Sequence, residues 1–438
     1  MFRWIFAGSI GLILALGLSS CVYFLMLWGG IATTLAVALL EIVVVACAFL
    51  GAIKDVKVTE SPKGPTVPYD WVLAVVLIAA LAFSGLWASK YLDATPNGNW
   101  DAWSMWNTRA KFLASPATWR NAVSPALETI HPDYPLLLPA LVAWPWRLLA
   151  DTKPFIPVTI AFLFAAGIVG TLVGCIGVAR SRASAWIAGV LFLAGSTFIG
   201  ETMSLYADVP LAAFLVAAVA LVVTSETTPA LVLAGVCAGL AAWTKNEGLL
   251  VLPILLVATA VFRRIVDAAK IFAGALPILA IVIAYKTLLT PATNQFTRQA
   301  PGAIGSKLAD AGRYAQVAGA YTAEILNFAP YYAHPVLLTA LLAWALRLVE
   351  GEERRRALLA LTVVLTMGSA YFVSFVVTPY ELGWHLSTAL SRLLVQIWPA
   401  AVLAVMFGLR SPEDYVPANQ ELEETRGKRS RSLSRSRR

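Results

Sequence analysis

Pro135-Leu136-Leu137-Leu138-Pro139-Ala140-Leu141-Val142-Ala143-Trp144-Pro145-Trp146-Arg147-Leu148-Leu149 is the stretch on which the threading of this chain turns. It is apolar, yet as a helix rising about 1.5 Å per residue it falls short of a hydrocarbon core of roughly 30 Å. Three prolines, Pro135, Pro139 and Pro145, interrupt it. Whether it crosses a bilayer or only dips into one sets the side on which every later loop lies.

The chain around it is built for lipid. Of its 438 residues 59% are apolar and 13% charged, where a soluble globular protein carries about a quarter charged residues. Long apolar runs with internal Gly and Pro indicate helices rather than the short alternating segments of an outer-membrane barrel. The runs predict spans at about 4–26, 31–53, 71–89, 154–179, 184–200, 209–224, 230–243, 248–262, 270–289, 332–349, 357–377 and 393–410. The expected fold class is therefore all-α: a polytopic membrane helical bundle of about 12 transmembrane helices plus a re-entrant or juxtamembrane helix.

The basic residues choose between the two threadings. If 135–149 only dips in from the outer side, Lys54 and Lys57, Arg180 and Arg182, Arg263 and Arg264, Arg354 to Arg356 and the tail from Arg426 to Arg438 all face the cytoplasm. If it crosses, every cluster after it moves outside. The dipping model predicts a multi-pass protein of the cytoplasmic (inner) membrane with both termini in the cytoplasm. The net charge of +8 then reads as cytoplasmic loop and tail charge beside anionic lipid, not as a nucleic-acid footprint.

Cys21, Cys47, Cys175 and Cys237 lie inside apolar segments without metal-type spacing, so they read as small core hydrophobes. Leu18-Ser19-Ser20-Cys21 has the form of a lipoprotein processing site. The apolar run continues past it to Trp28, however, and reads as an uncleaved anchor.

In this threading the outer face gathers the polar segments: a long first loop at about 90–153, a short one at Glu201–Asp208, the turn Thr244-Lys245-Asn246-Glu247, a loop at about 290–331, and Thr378 to Ser391. The spans flanking Lys245 are short, about 14 residues each by apolar count. Their turn is expected below the membrane surface, where Lys245 and Glu247 are costly unless they bind something.

Each polar segment carries candidates for chemistry. In Asn99-Trp100-Asp101-Ala102-Trp103-Ser104-Met105-Trp106-Asn107-Thr108-Arg109-Ala110-Lys111 the three tryptophans share a helical face suited to the headgroup region, with Asp101 off that face. Asp101 reads as a general base for an acceptor arriving from outside, or as a plain helix N-cap. In His131-Pro132-Asp133-Tyr134-Pro135 two prolines stiffen a stretch whose His131 and Asp133 suit a cation or a phosphate-linked group, although His131 also suits a helix cap. Asp208 in Tyr206-Ala207-Asp208-Val209-Pro210 opens a helix, and capping competes with a shared site with Asp101.

Trp243-Thr244-Lys245-Asn246-Glu247-Gly248 favours a phosphate partner for Lys245 over simple snorkelling. Tyr380, Glu381, His385 and Arg392 line the last outer loop, where Arg392 suits a phosphate or a surface pair with Glu381. Arg298 to Arg313, with Gly302, Gly305 and Gly312, reads equally as a lid or a linker. The residues name no certain cofactor. Asp101, His131, Asp133 and Asp208 are the candidate ligands should a divalent ion, Mg²⁺ or Mn²⁺, take part, though no third ligand has diagnostic spacing.

Taken in order, these pieces resemble the GT-C class of membrane glycosyltransferases. That class includes the protein O-mannosyltransferases, the lipid A aminoarabinose transferase and the sugar transferases of rhizobial lipopolysaccharide cores. The matching parts are Asp101 in the first outer loop, His131 to Pro135 approaching a half-buried helix, Tyr206 to Pro210 in the second outer loop, and Gly239-Leu240-Ala241-Ala242-Trp243-Thr244-Lys245.

The resemblance covers roughly 70–290, a catalytic module. It leaves 1–69 as two extra N-terminal transmembrane helices with a cytoplasmic linker, 291–410 as C-terminal helices with outer loops, and 411–438 as a disordered basic tail. It implies an inverting hexosyl- or pentosyltransferase that moves a sugar from a polyprenyl-phosphate donor to a glycan, lipid or protein acceptor on the outer face. Asp101 would be the base and Lys245 the contact to the carrier phosphate. Asp208 would support the acceptor or a metal. From the polar segments themselves, His131, Asp133, Tyr134, Asn246, Glu247, His385 and Arg392 join Lys245 and Asp208 as candidate substrate-binding residues. Many relatives carry Asp-Glu where this chain has Asp101-Ala102. The rival readings are a transporter or flippase, which would place ionisable groups at the midplane of paired halves, and an O-antigen ligase or polymerase.

Overall fold

The computed structural model describes residues 1–56, 67–291, 298–328 and 332–416. Lys57 and the basic tail lie outside those residues. Regular structure among them is helical, apart from one isolated antiparallel bridge between Leu348 and Leu409.

The chain begins with α1 (Phe2–Trp28), α2 (Thr34–Asp55) and α3 (Asp70–Ala94). Short α4 (Asn107–Leu113) and α5 (Leu137–Leu149) lie in the first long loop. They are followed by α6 (Phe155–Ala179), α7 (Arg182–Leu193), α8 (Ser196–Met203), α9 (Asp208–Thr224), α10 (Thr228–Thr244), α11 (Val251–Phe262) and α12 (Ile265–Leu288). A second loop carries α13 (Ala303–Ala309) and α14 (Ala311–Leu326), before α15 (Pro335–Leu346), α16 (Gly351–Val376) and α17 (Leu382–Gly408). Seven of these, α1, α2, α3, α6, α12, α16 and α17, are long and apolar enough to cross a membrane. That is the make-up of a multi-pass membrane protein.

Two contacts settle how α5 is threaded. Arg182, opening α7, pairs with Asp70, opening α3, at 2.8 Å, and Trp186 Nε1 donates to the same carboxylate at 3.0 Å. The end of α6 is at that end too, because Arg180 follows it directly and pairs with Glu353. The far ends of α3 and α6 therefore lie together at the opposite end of the bundle. The loop between them, which carries α5, leaves and returns at that same end of the bundle. Helix α5 packs on α4 and α1 and buries Leu137 to Ala143.

Glycine lets the helices approach closely. A Cβ at Gly235 in α10 would lie 1.9 Å from the Ile271 carbonyl oxygen of α12, and one at Gly274 2.1 Å from that of Val232. This is the small-residue packing that brings membrane helices into backbone contact. Gly167, Gly170, Gly174 and Gly177 of α6 face α1 in the same way. As a result α1 has 78% of its central window buried, against 22% for α2 and 17% for α3.

Several expectations need correcting. The apolar run at 184–200 is broken into α7 and α8 at Ala194 and Gly195. Helix α17 starts at Leu382, eleven residues before the run read as a span, because Glu381 caps it through the amides of Gly383 and Trp384. His385 and Arg392 are consequently on a helix, not in a loop. Arg298 to Arg313 is tied down: Lys307 donates to the Thr378 carbonyl at 2.7 Å and Arg313 to that of Val376 at 2.6 Å, cations satisfying the C-terminus of α16.

Trp100 and Trp103 are 65% and 46% exposed, but Trp106 is 1% exposed. A π-helical turn over Ala102–Trp106 rotates the third tryptophan off the face of the other two and onto Tyr134.

Candidate functional site

At the end of the bundle opposite Asp70, a charged network joins elements far apart in sequence. Asp208, the first residue of α9, is fully buried. It does not cap its own helix. One carboxylate oxygen accepts from Lys245 Nζ at 2.9 Å and from the Gln396 amide, and the other from Arg392 Nη2 at 3.1 Å and Nε at 3.3 Å. The third guanidinium nitrogen of Arg392 reaches Asp101 at 2.9 Å. The guanidinium plane is fixed by the Tyr206 ring, 4.3 Å from its carbon to the ring centroid. Of the two partners weighed for Arg392, a phosphate or Glu381, the Glu381 carboxylate is spent on the helix cap.

Local structure explains why Asp101 is there. Asn99 clamps the first outer loop to the second: its amide N–H donates to the Ser204 carbonyl at 3.1 Å and its carboxamide to Ser204 Oγ at 2.9 Å. Gly98, at φ 73°, lies so close that a Cβ would be 2.6 Å from the Ser204 carbonyl oxygen. The Asp101 N–H then donates to the Tyr206 hydroxyl at 3.4 Å. Its side chain makes no helix-cap bond, so the capping explanation fails. It keeps 27% exposure where Asp208 has none. Asp101 is open to solvent and Asp208 is an anchor.

Lys245 ends α10 at a sharp reversal, and Gly248 permits it: a Cβ there would sit 1.8 Å from the Ala241 carbonyl oxygen. The ammonium is 2.9 Å from Asp208 and 3.4 Å from Glu247. Burial works against its charge, but these two carboxylates outweigh burial and hold its pKa up. The other Glu247 oxygen is buried without a hydrogen bond.

A second cluster adjoins the first. Asn246 donates to Asp133 at 2.9 Å, and Lys286 of α12 reaches both Asn246 and the Asp133 carbonyl, with its ammonium 3.9 Å from the carboxylate. Behind it fully buried Arg109 donates to the carbonyls of Ala122, Pro132 and Tyr134 and to the Tyr285 hydroxyl, pinning the 131–134 segment.

His131 is left-handed at φ 52° and packs edge-on against Tyr134. Burial lowers its pKa, opposed by the charges of Asp133, Asp101 and Glu247. His385 binds Thr378 through Nδ1 at 2.8 Å and packs on Phe375, facing the network's rim.

Asp101, Asp208, Lys245, Glu247 and Arg392 thus meet in one continuous network, with Asp133, Asn246 and His131 beside it. Tyr134 contributes its carbonyl and ring, and His385 stands apart. Sequence reading missed Gln396, Glu201, Tyr206 as a stacking partner, Lys286 and Arg109. Glu201, near the end of α8, has one carboxylate oxygen buried without a partner. A buried ionisable group beside a charged cleft was the available signal.

Among the described residues no three His, Cys, Asp or Glu side chains are grouped to hold a metal ion. Of the four candidate ligands, Asp101 and Asp208 share Arg392, and Asp133 faces Asn246 and Lys286. No family model, curated protein or solved structure matches the chain.

Proposed function

We propose that the chain is a membrane glycosyltransferase of GT-C type. It crosses the cytoplasmic membrane twelve times by the helix alternation above, with both termini inside and the Asp101 network outside. Five crossings are then made by shorter elements: α7 with α8, α9, α10, α11 with the turn before it, and α15.

The observation that carries this reading is the pairing of a part-exposed carboxylate, Asp101, with a buried Arg392–Asp208–Lys245 relay at the same end of the bundle. Arg392 lies ten residues into α17, which at about 1.5 Å per residue sets the site roughly 15 Å below that helix's outer end. A lipid-linked substrate entering sideways from the bilayer meets the network at that depth.

In the reaction the acceptor hydroxyl or amine attacks the anomeric carbon of a polyprenyl-phosphate sugar. Asp101 takes the acceptor's proton. The bond from the anomeric carbon to the phosphate oxygen breaks, and its electron pair leaves on the phosphate. That anion is stabilised by Arg392 and Lys286, the more open cations, while Lys245 holds Asp208 and sets the local potential. Phosphate is a good leaving group in this setting, so the step needs no protein acid.

The test is transfer by purified Asp101→Asn protein given a polyprenyl-phosphate sugar. The rate is expected to fall about 10²–10⁴-fold, the usual worth of a general base. Undiminished transfer removes Asp101 from that role.

A further inference from the structure

Beside the helix that carries Asp101, an open groove of about 640 Å³ lies between the end of α3, one face of α4 and the segment leading into α6. Its size falls within the usual range for small-molecule sites, about 300–1,000 Å³. No residue of the Asp208 network lines it. Its walls carry Asn97, Trp103, Asn107, Thr108, Lys111 and Thr152.

Asn107 gives the groove its chemistry. The residue is 8% exposed, and its carboxamide hydrogen-bonds none of the described residues. Its polar atoms open to the groove, so both its donor and its acceptor are free for a ligand that can meet them. A phosphate offers only acceptors and would leave the carboxamide oxygen unsatisfied. A pair of neighbouring sugar hydroxyls both donates and accepts, and so completes both halves.

The other walls agree. Trp103 is 46% exposed and held edge-on by Trp100 with centroids 4.5 Å apart, which presents a fixed flat ring to the apolar face of a sugar. Thr108 spends its proton on the Trp103 carbonyl at 2.8 Å and keeps its oxygen as an acceptor. Lys111 is exposed and makes no ion pair with a described residue. It adds a preference for an anionic substituent.

We propose that this groove binds the saccharide portion of the acceptor, and that this saccharide carries an acidic group. The proposal rests on the glycosyl-transfer reading for the word acceptor. The binding site itself does not, so the experiment measures binding with no donor present.

Full-length protein in phosphatidylcholine nanodiscs is titrated with trigalacturonate and with maltotriose, following binding by equilibrium dialysis and saturation-transfer NMR. Trigalacturonate is expected to bind several-fold more tightly than maltotriose. Trp103→Ala and Asn107→Leu are each expected to weaken it roughly tenfold, the loss of about 1.4 kcal/mol. The exposed Lys111→Gln keeps the protein folded and should erase the preference for the acidic sugar while maltotriose affinity stays as it was.

Failure of both sugars to bind overturns the proposal, as does binding unchanged in both Trp103→Ala and Asn107→Leu. Replacing phosphatidylcholine with phosphatidylglycerol is the second arm. If that lipid alone displaces the sugar completely, the groove is a lipid-headgroup site and the proposal fails. Transfer activity without groove binding sinks the groove and spares the catalytic reading. Groove binding without transfer does the reverse, leaving a saccharide site.

Discussion

Asp208 shows how much a single side chain carries here. Its carboxylate is buried and neutralises Lys245 and Arg392 together, which are 5% and 18% exposed at their side chains. Removing it takes away the carboxylate that the two cations share and leaves Lys245 with Glu247 alone and Arg392 with Asp101 alone, a loss of up to about 3–5 kcal/mol. Asp208→Ala should therefore unfold at a clearly lower temperature in detergent than the unaltered protein. A melting curve that does not move would show that the network relaxes into water.

Asp101, Asp208, Lys245 and Arg392 were legible as residues because ionisable groups are expensive beside apolar runs. Gln396, which joins Asp208, and Lys286, which joins Asp133 and Asn246, were not, since a lone amide or lysine in a helix has many innocuous explanations.

At the scale of elements, the reversal after α10 decides whether Lys245 reaches Asp208. Gly248→Ala would drive a methyl group against the Ala241 carbonyl and displace the turn. Transfer is expected to drop at least about tenfold, as befits a misplacement of about an ångström in a preorganised site. Measured sugar transfer equal to the parent's would show that the turn accommodates the methyl.

The same scale explains two misread boundaries. Hydropathy reports which residues face lipid, not which are helical. The first turns of α17, with His385, Ser387 and Arg392, are too polar to register as a span, yet Glu381 caps them into a helix. The π-helical turn at Ala102–Trp106 was also invisible, because periodicity arguments assume 3.6 residues per turn throughout.

For the molecule as a whole, the decisive feature is that α5 returns to the end it left. In the proposed threading, Ala117 in the first long loop and Arg354 at the start of α16 face opposite sides of the membrane. In a Cys47→Ala background, Ala117→Cys should react with an impermeant thiol reagent from the periplasmic side and Arg354→Cys only from the cytoplasmic side. Reaction of both from one side would break the threading.

The sequence by itself determined that this is a helical membrane protein with its costly charges confined to a few short segments. Composition and hydropathy are sums over local residues and need no partner to be read. Only the tertiary structure decided that Asp101, Asp208, Lys245 and Arg392 share one network, and that Asp101 is the exposed member and Asp208 the anchor. Those facts depend on glycine-mediated helix contacts and on the α5 loop returning to the end it left. Contacts between residues a hundred or more positions apart leave no periodic trace in the chain.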